Sequence, residues 1–321
     1  MQTARKMISV DPAESGSDVV LFPSSPKHES LVGAYLAFAA ICIIWGTTFV
    51  AIRVVIETIP TLLVTGIRFS IAGVLLLGIA VISKAKFPRS TAEWWHQALA
   101  GIVMAGVGNA LVVFAEHSLT SGIAALLAAT IPIWMAIMQA LLGETPLTIR
   151  GIAGLALGFG GVGLLVAPAI GSPSVSAGFF LAVLAMQLSA IAWNAGTLYS
   201  RRQVAHSDPL ARSVIQMLSA GLAVTLLALI TGERTTVAMF TARSTTALLY
   251  LAIFGSVIAY WAYNYAQTKL SAGKVSSYAY VNPAVAVLFG ALLLGEPVTL
   301  SMIAAMIVIL AGVALIQFHR A

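Results

Sequence analysis

The chain has 321 residues, of which 60% are apolar and 9% charged. Soluble domains run about 45–50% apolar and about 25% charged, so a soluble enzyme, a disordered tail protein and a nucleic-acid binder are excluded and a polytopic membrane protein remains. The net charge of +6 fits a Lys/Arg excess gathered in cytoplasmic loops.

Residues 1–30 are rich in Ser, Pro and mixed charge (Asp11, Pro12, Glu14, Pro23, Pro26, Lys27) and read as a disordered cytoplasmic tail without a cleavable signal peptide. Apolar runs then fall near 31–52, 60–82, 97–115, 121–142, 149–169, 178–199, 210–231, 247–267, 275–294 and 300–318. Each is about the length of a spanning helix. Lone strands would leave backbone groups unpaired in lipid, and a barrel would show alternating segments of about ten residues. The pattern predicts an all-α membrane protein of ten transmembrane helices.

The first run carries the single cysteine, Cys42, so no disulfide framework and no thiolate metal site exists; it also carries Trp45. The second holds Arg68, eight residues inside, where a cation costs about 2.5–3.5 kcal/mol on insertion scales. It reads either as the counter-charge of a substrate carboxylate or as an Arg that snorkels to the surface and pairs with Glu57. Asn109 sits in the third run, which closes on Glu116 and His117. These two read as groups for a substrate ammonium and a titrating step, or as a solvated helix end.

Pro132 in the fourth run and Pro283 in the ninth each remove a mid-helix hydrogen bond, giving either a hinge that frees carbonyls or a kink that shapes the bundle. Trp134 follows Pro132 by two residues. Gly158, Gly160, Gly161 and Gly163 form a small-residue stripe suited to close helix contact. Trp193 and Asn194 lie together in the sixth run; the indoles of Trp45, Trp134 and Trp193 suit either a cavity wall or helix packing. Tyr260, Tyr263 and Asn264 share a helix face in the eighth run, as do Tyr278 and Asn282 in the ninth. Six of the eight tyrosines fall between 250 and 280, which marks either one hydrogen-bonding aromatic surface or an interfacial belt.

The chain also repeats itself. Residues 115–122 (AEHSLTSG) align with 266–273 (AQTKLSAG), and Pro132 aligns with Pro283 at the same offset. Trp45 and Arg53 match Trp193 and Arg201, and Asn109 matches Tyr260. Each copy holds five runs, residues 31–169 and 178–318, and an odd number inserts the second copy upside down. Two inverted five-helix repeats around a central cavity are an architecture of secondary transporters. With the N-terminus inside, thirteen of the 17 Lys and Arg fall in inner segments, against Arg53, Arg234 and Arg243 outside and Arg68 within a span. Both termini are therefore expected in the cytoplasm.

Trp45-Gly46-x-x-Phe49, Arg53, Pro60 and Arg68-Phe69 resemble the opening of an EamA domain of the drug/metabolite transporter superfamily. Residues 115–125 with Pro132 and Leu142-Gly143-Glu144 resemble its remainder. Tyr278 to Pro283 and Leu294-Gly295-Glu296-Pro297 resemble the same block in the second copy. The resemblance covers residues 31–318; within the superfamily the chain is similar to the YedA and YddG group of metabolite and amino-acid exporters. It implies ten helices, two inverted repeats and a cavity lined by both copies. One departure is the gap from Pro132 to Glu144, one residue shorter than that from Pro283 to Glu296.

Function follows from where charge is missing. Every Asp and Glu lies in the tail, a loop or a span end, so no deep carboxylate relay exists, and a uniporter or weakly coupled exporter is expected with Glu116–His117 as its proton site. One intramembrane Arg is too little for phosphorylated substrates. A neutral or zwitterionic small molecule, an amino acid above all, is the expected partner beside the lipid bilayer; an apolar drug is the alternative, and a lipid scramblase the alternative of another class. No HExxH and no Ser-His-Asp grouping lies in a run, so no enzyme, cofactor, metal or nucleic-acid partner is expected, and the protein is expected as a monomer of the cell inner membrane.

Overall fold

A computed structural model describes residues 28–170, 176–203, 207–270, 275 and 278–317, and no strand occurs among them. The expected tail lies outside the described residues except at its end, where helix α1 (His28–Val55) begins. Next come α2 (Thr61–Ile82), α3 (Thr91–Ala115), α4 (Ser121–Leu141), α5 (Ile149–Val166), α6 (Ala177–Arg202) and α7 (Pro209–Ile230). They are followed by α8 (residues 242–269), α9 (Tyr278–Leu294) and α10 (Leu300–Gln317). Among the described residues eight helices, α1 to α8, are long and apolar enough to cross a membrane; α9 and α10 are shorter and equally apolar in character.

Helices α3 and α8 run past their apolar runs because local polar chemistry extends them. Ser90 accepts from the Glu93 amide and starts α3 six residues before its apolar run; Thr120, Thr148 and Thr241 cap α4, α5 and α8 in the same way. Gly143 and Gly295 turn the chain out of α4 and α9 at φ +70° and +66°, the left-handed conformation that ends a helix most cheaply at glycine.

Two features are absent from a plain reading of ten rods. The fourth run is not one smooth helix: α4 is interrupted by a turn at Ala129–Thr130, and Pro132 sits in the first turn of its second half (Ile131–Leu141), where a missing N–H costs least. Its repeat mate Pro283 lies inside the continuous helix α9. Second, α3 and α8 each contain a π segment, Ile102–Val107 and Leu251–Ile258.

Helix pairs with glycine faces approach most closely. On α2 and α7, a Cβ at Gly73 would sit 2.9 Å from the Leu218 nitrogen, and one at Gly221 would sit 2.5 Å from the Ser70 nitrogen. On α5 and α10, a Cβ at Gly154 would meet the Gly312 carbonyl at 2.7 Å, and one at Gly312 the Gly158 nitrogen at 2.5 Å. The predicted glycine stripe thus divides: Gly161 faces α10 at Ile309, Gly158 gives its backbone to Gly312 and faces Ile133 of α4, and Gly160 and Gly163 meet nothing within 4 Å. Leu222, Leu226 and Leu229 on α7 and Leu181, Leu184 and Leu188 on α6 are exposed. A belt of that kind is an aggregation surface in water and a solvated one in lipid.

Candidate functional site

A cavity of about 860 Å³ lies among the helices and is lined by residues of α1 to α4 and α6 to α9. Its wall includes Trp45, Arg68, Asn109, Pro132, Trp193, Asn194, Tyr260, Tyr263, Tyr278, Asn282 and Pro283. The repeat mates Trp45 and Trp193, Asn109 and Tyr260, and Pro132 and Pro283 therefore all meet there. Both π segments reach it too, through Met104 and Ala105 and through Gly255 and Ser256. Such segments displace a carbonyl from the ladder and recur at functional sites. Here the Gly255 carbonyl accepts from Trp45 Nε1 at 3.1 Å, and the Ser256 hydroxyl donates back to the Leu251 carbonyl at 3.0 Å.

Arg68 is 6% exposed and belongs to the wall. It does not snorkel, and Glu57 pairs instead with Arg243 at 3.0 Å. Arg68 Nε donates to Ser256 Oγ at 3.1 Å and Nη1 to Asn109 Oδ1 at 3.5 Å, while the guanidinium lies over the Phe69 ring. Both hydrogen-bond acceptors are neutral, and no carboxylate of the described residues lines the cavity. The other cation on the wall is Arg201, whose side chain is exposed, so the cavity reaches the surface at that end.

Three rings from three helices form an aromatic corner: Trp45 lies 5.4 Å from Tyr263 and 4.8 Å edge-on to Tyr278, and the two tyrosines are 6.0 Å apart. Tyr250, Tyr265 and Tyr280 do not join it. Tyr250 bonds Thr47 and stacks on Phe254, Tyr265 stacks on Trp261, and Tyr280 packs into the core between α4 and α10. The region is thus not one surface. Trp45→Phe keeps an aromatic ring and removes the bond to Gly255; it is expected to lower stability by about 0.5–1.5 kcal/mol, the worth of one neutral hydrogen bond, read as a lower melting temperature.

Asn194 is fully buried, donates Nδ2 to the Ile131 carbonyl at 2.8 Å, and has no partner for Oδ1. That leaves a buried, unsatisfied acceptor on a residue that lines the cavity. The Asn282 amide lies 3.1 Å from the Tyr278 and Cys42 carbonyls, which places its nitrogen on that side. Asn264 lies on α8, and its side chain falls outside the described residues.

The structure does not bring Trp134, Glu116 or His117 to the wall. Trp134 donates to Gln187 Oε1 at 2.8 Å and packs edge-on against Phe159, as a helix-packing indole does. Glu116 and His117 lie at the end of the bundle opposite Arg201, where short contacts close it. Arg53 donates to the Glu116 carbonyl, His117 Nε2 meets Thr61 Oγ1 at 2.9 Å, and Thr58 donates to the Met239 carbonyl at 2.6 Å. Burial first, and then Arg53, lower the His117 pKa below the ordinary histidine value. Two carboxylates also cap helices here. Glu233 accepts from the Leu62 and Leu63 amides at 3.0 Å, and Glu296 from Ser121 N at 2.8 Å, Ser121 Oγ at 2.7 Å and Gly122 N at 3.3 Å. Such caps satisfy orphan amides and sit at the positive helix end.

Sequence reasoning passed over Ser256, Ser189 and Gln216, all buried in or beside this wall. Hydroxyls and amides inside apolar runs were the signal that could have found them.

The model of the EamA-like transporter family matches residues 32–167 and 180–318. The chain is 35% identical over 271 residues to the uncharacterized inner membrane transporter YedA of Escherichia coli K12, covering 84% of this chain and 86% of that one. It is 26% identical to the uncharacterized transporter YvbV of Bacillus subtilis, covering 88% and 90%. A crystal structure at 18% identity superimposes with a TM-score of 0.63 over 90% of this chain and 97% of the other, a likeness of fold alone. The protein is a multi-pass membrane transporter that belongs to the EamA-like transporter family.

Proposed function

We propose that the protein exports small neutral or zwitterionic metabolites, amino acids above all, across the inner membrane by alternating access. The observation that carries this reading is the cavity itself. It has about 860 Å³, within the range of small-molecule sites, and combines one buried guanidinium, an orphaned amide oxygen and an aromatic corner. Arg68 takes the substrate's carboxylate, Asn194 Oδ1 accepts from its ammonium, and Trp45, Tyr263 and Tyr278 receive its side chain.

In this reading α1 to α10 all span the bilayer, both termini are cytoplasmic, and residues 31–169 and 178–318 are inverted repeats. The packing of mates on one another, α2 on α7, α4 on α9 and α5 on α10, supports that symmetry, as do the matched π segments. The cavity reaches the surface at Arg201, the cytoplasmic side by the Lys/Arg distribution, and is shut at Glu116; this is a loading state.

Exchange of radiolabelled phenylalanine in proteoliposomes, run beside a lipid-flip assay, tests the function. Saturable exchange that falls at least about tenfold in Tyr260→Ala and stays unchanged in Leu226→Ala supports it; the first side chain lines the cavity and the second faces outward. Lipid flip without amino-acid exchange overturns it.

A further inference from the structure

Glu116 and Arg68 are opposite charges buried in one bundle, and neither forms an ion pair with the described residues. Glu116 is 0% exposed. Its amide continues α3 to the Val112 carbonyl and its own carbonyl takes Arg53, yet neither Oε1 nor Oε2 has a partner. Three charged groups act on it: Arg53 from α1, Arg68 from α2 and Glu296 from the α9–α10 connection. His117 beside it is held by Thr61, with Arg53 and Glu233 acting on that ring, and Glu233 caps α2. Val112, one turn earlier on α3, lines the cavity.

A buried ionised carboxylate with two unpaired oxygens is among the most costly arrangements in a protein. The neutral acid fits the closed end. Burial first, and the Glu296 charge second, hold the Glu116 carboxyl well above the ordinary carboxylate range, against the pull of the arginines. Arg68, for its part, has only neutral acceptors and one side open to the cavity.

We propose that Glu116 is a proton-binding site of this transporter, and that its ionised carboxylate competes with the substrate's carboxylate for Arg68. This rests on the reading of Arg68 as the carboxylate site. Protonation of a Glu116 oxygen by water ends the claim of Glu116 on Arg68 and so strengthens carboxylate binding. By linkage, bound carboxylate strengthens proton binding by the same factor. Bound substrate and bound proton therefore favour one another on the loaded carrier.

Infrared titration of the full-length protein in lipid nanodiscs tests this without a substrate. The wild type is expected to show a protonated-carboxyl band at neutral pH that is lost in Glu116→Gln, a variant isosteric with the neutral acid. In Arg68→Gln the titration midpoint of that band is expected to rise, because an opposite charge that favours the ionised form is removed. Absence of the band in the wild type, its survival in Glu116→Gln, or an unmoved midpoint in Arg68→Gln would each overturn the proposal. If phenylalanine exchange never occurs, the amino-acid reading of the cavity falls while the titration still decides on Glu116.

Discussion

Replacing Arg68 with Gln is expected to lower phenylalanine exchange by at least about thirtyfold while the protein remains inserted and is at least as stable to heat. A carboxylate bound to a buried guanidinium typically owes about 2–5 kcal/mol to that partner. The same guanidinium burdens the apo bundle, because a centrally placed Arg costs about 2.5–3.5 kcal/mol on insertion scales. Its acceptors, Ser256 and Asn109, are neutral and return only part of that cost. Function and stability should therefore move in opposite directions. Loss of both together would mean that Arg68 is a packing residue, and exchange within threefold of wild type would remove it from the site. Arg68→Lys should recover little, since an ammonium cannot hold Ser256 and a carboxylate in one plane.

The second large effect belongs to the α5–α10 contact. Gly312→Val is expected to lower the unfolding temperature sharply, with a cost of at least about 1–3 kcal/mol, the usual price of overpacking. A Cβ at Gly312 would lie 2.5 Å from the Gly158 nitrogen and 2.6 Å from the Gly154 carbonyl, so backbone and not a side-chain tip must yield. Gly160→Ala, in open space on α5, should hold or raise stability by up to about 1 kcal/mol through helix propensity. Thermal unfolding in one detergent measures both, and equal melting temperatures would show that the contact carries no strain.

Helices, cavity and family were legible because each rests on a repeated signal: apolar runs of spanning length, and a duplication that places mates on one wall. Trp45 with Trp193 and Asn109 with Tyr260 came from that duplication. What stayed hidden depends on rotation about a helix axis or on a single extra backbone residue. Gly158 and Gly160 are alike in sequence and differ only in the direction they face. Arg68 could be read two ways until Glu57 was seen to hold Arg243. The π segments leave no mark in residue type, and the caps by Glu233 and Glu296 join positions more than 170 residues apart. Trp134 looked like Trp193 by chemistry, but Gln187 turns it away from the wall.

The closed end has a kinetic meaning on the proposed cycle. Its main ties are amides and hydroxyls donated to Glu233 and Glu296, and on opening each donor and each carboxylate finds water instead. A bond to a carboxylate is worth about 1.5–3 kcal/mol, of which water returns a part on opening, whereas an apolar plug of equal size would regain nothing. Opening is thereby eased by water at each broken tie, and the closed end acts as a latch and not as a permanent plug.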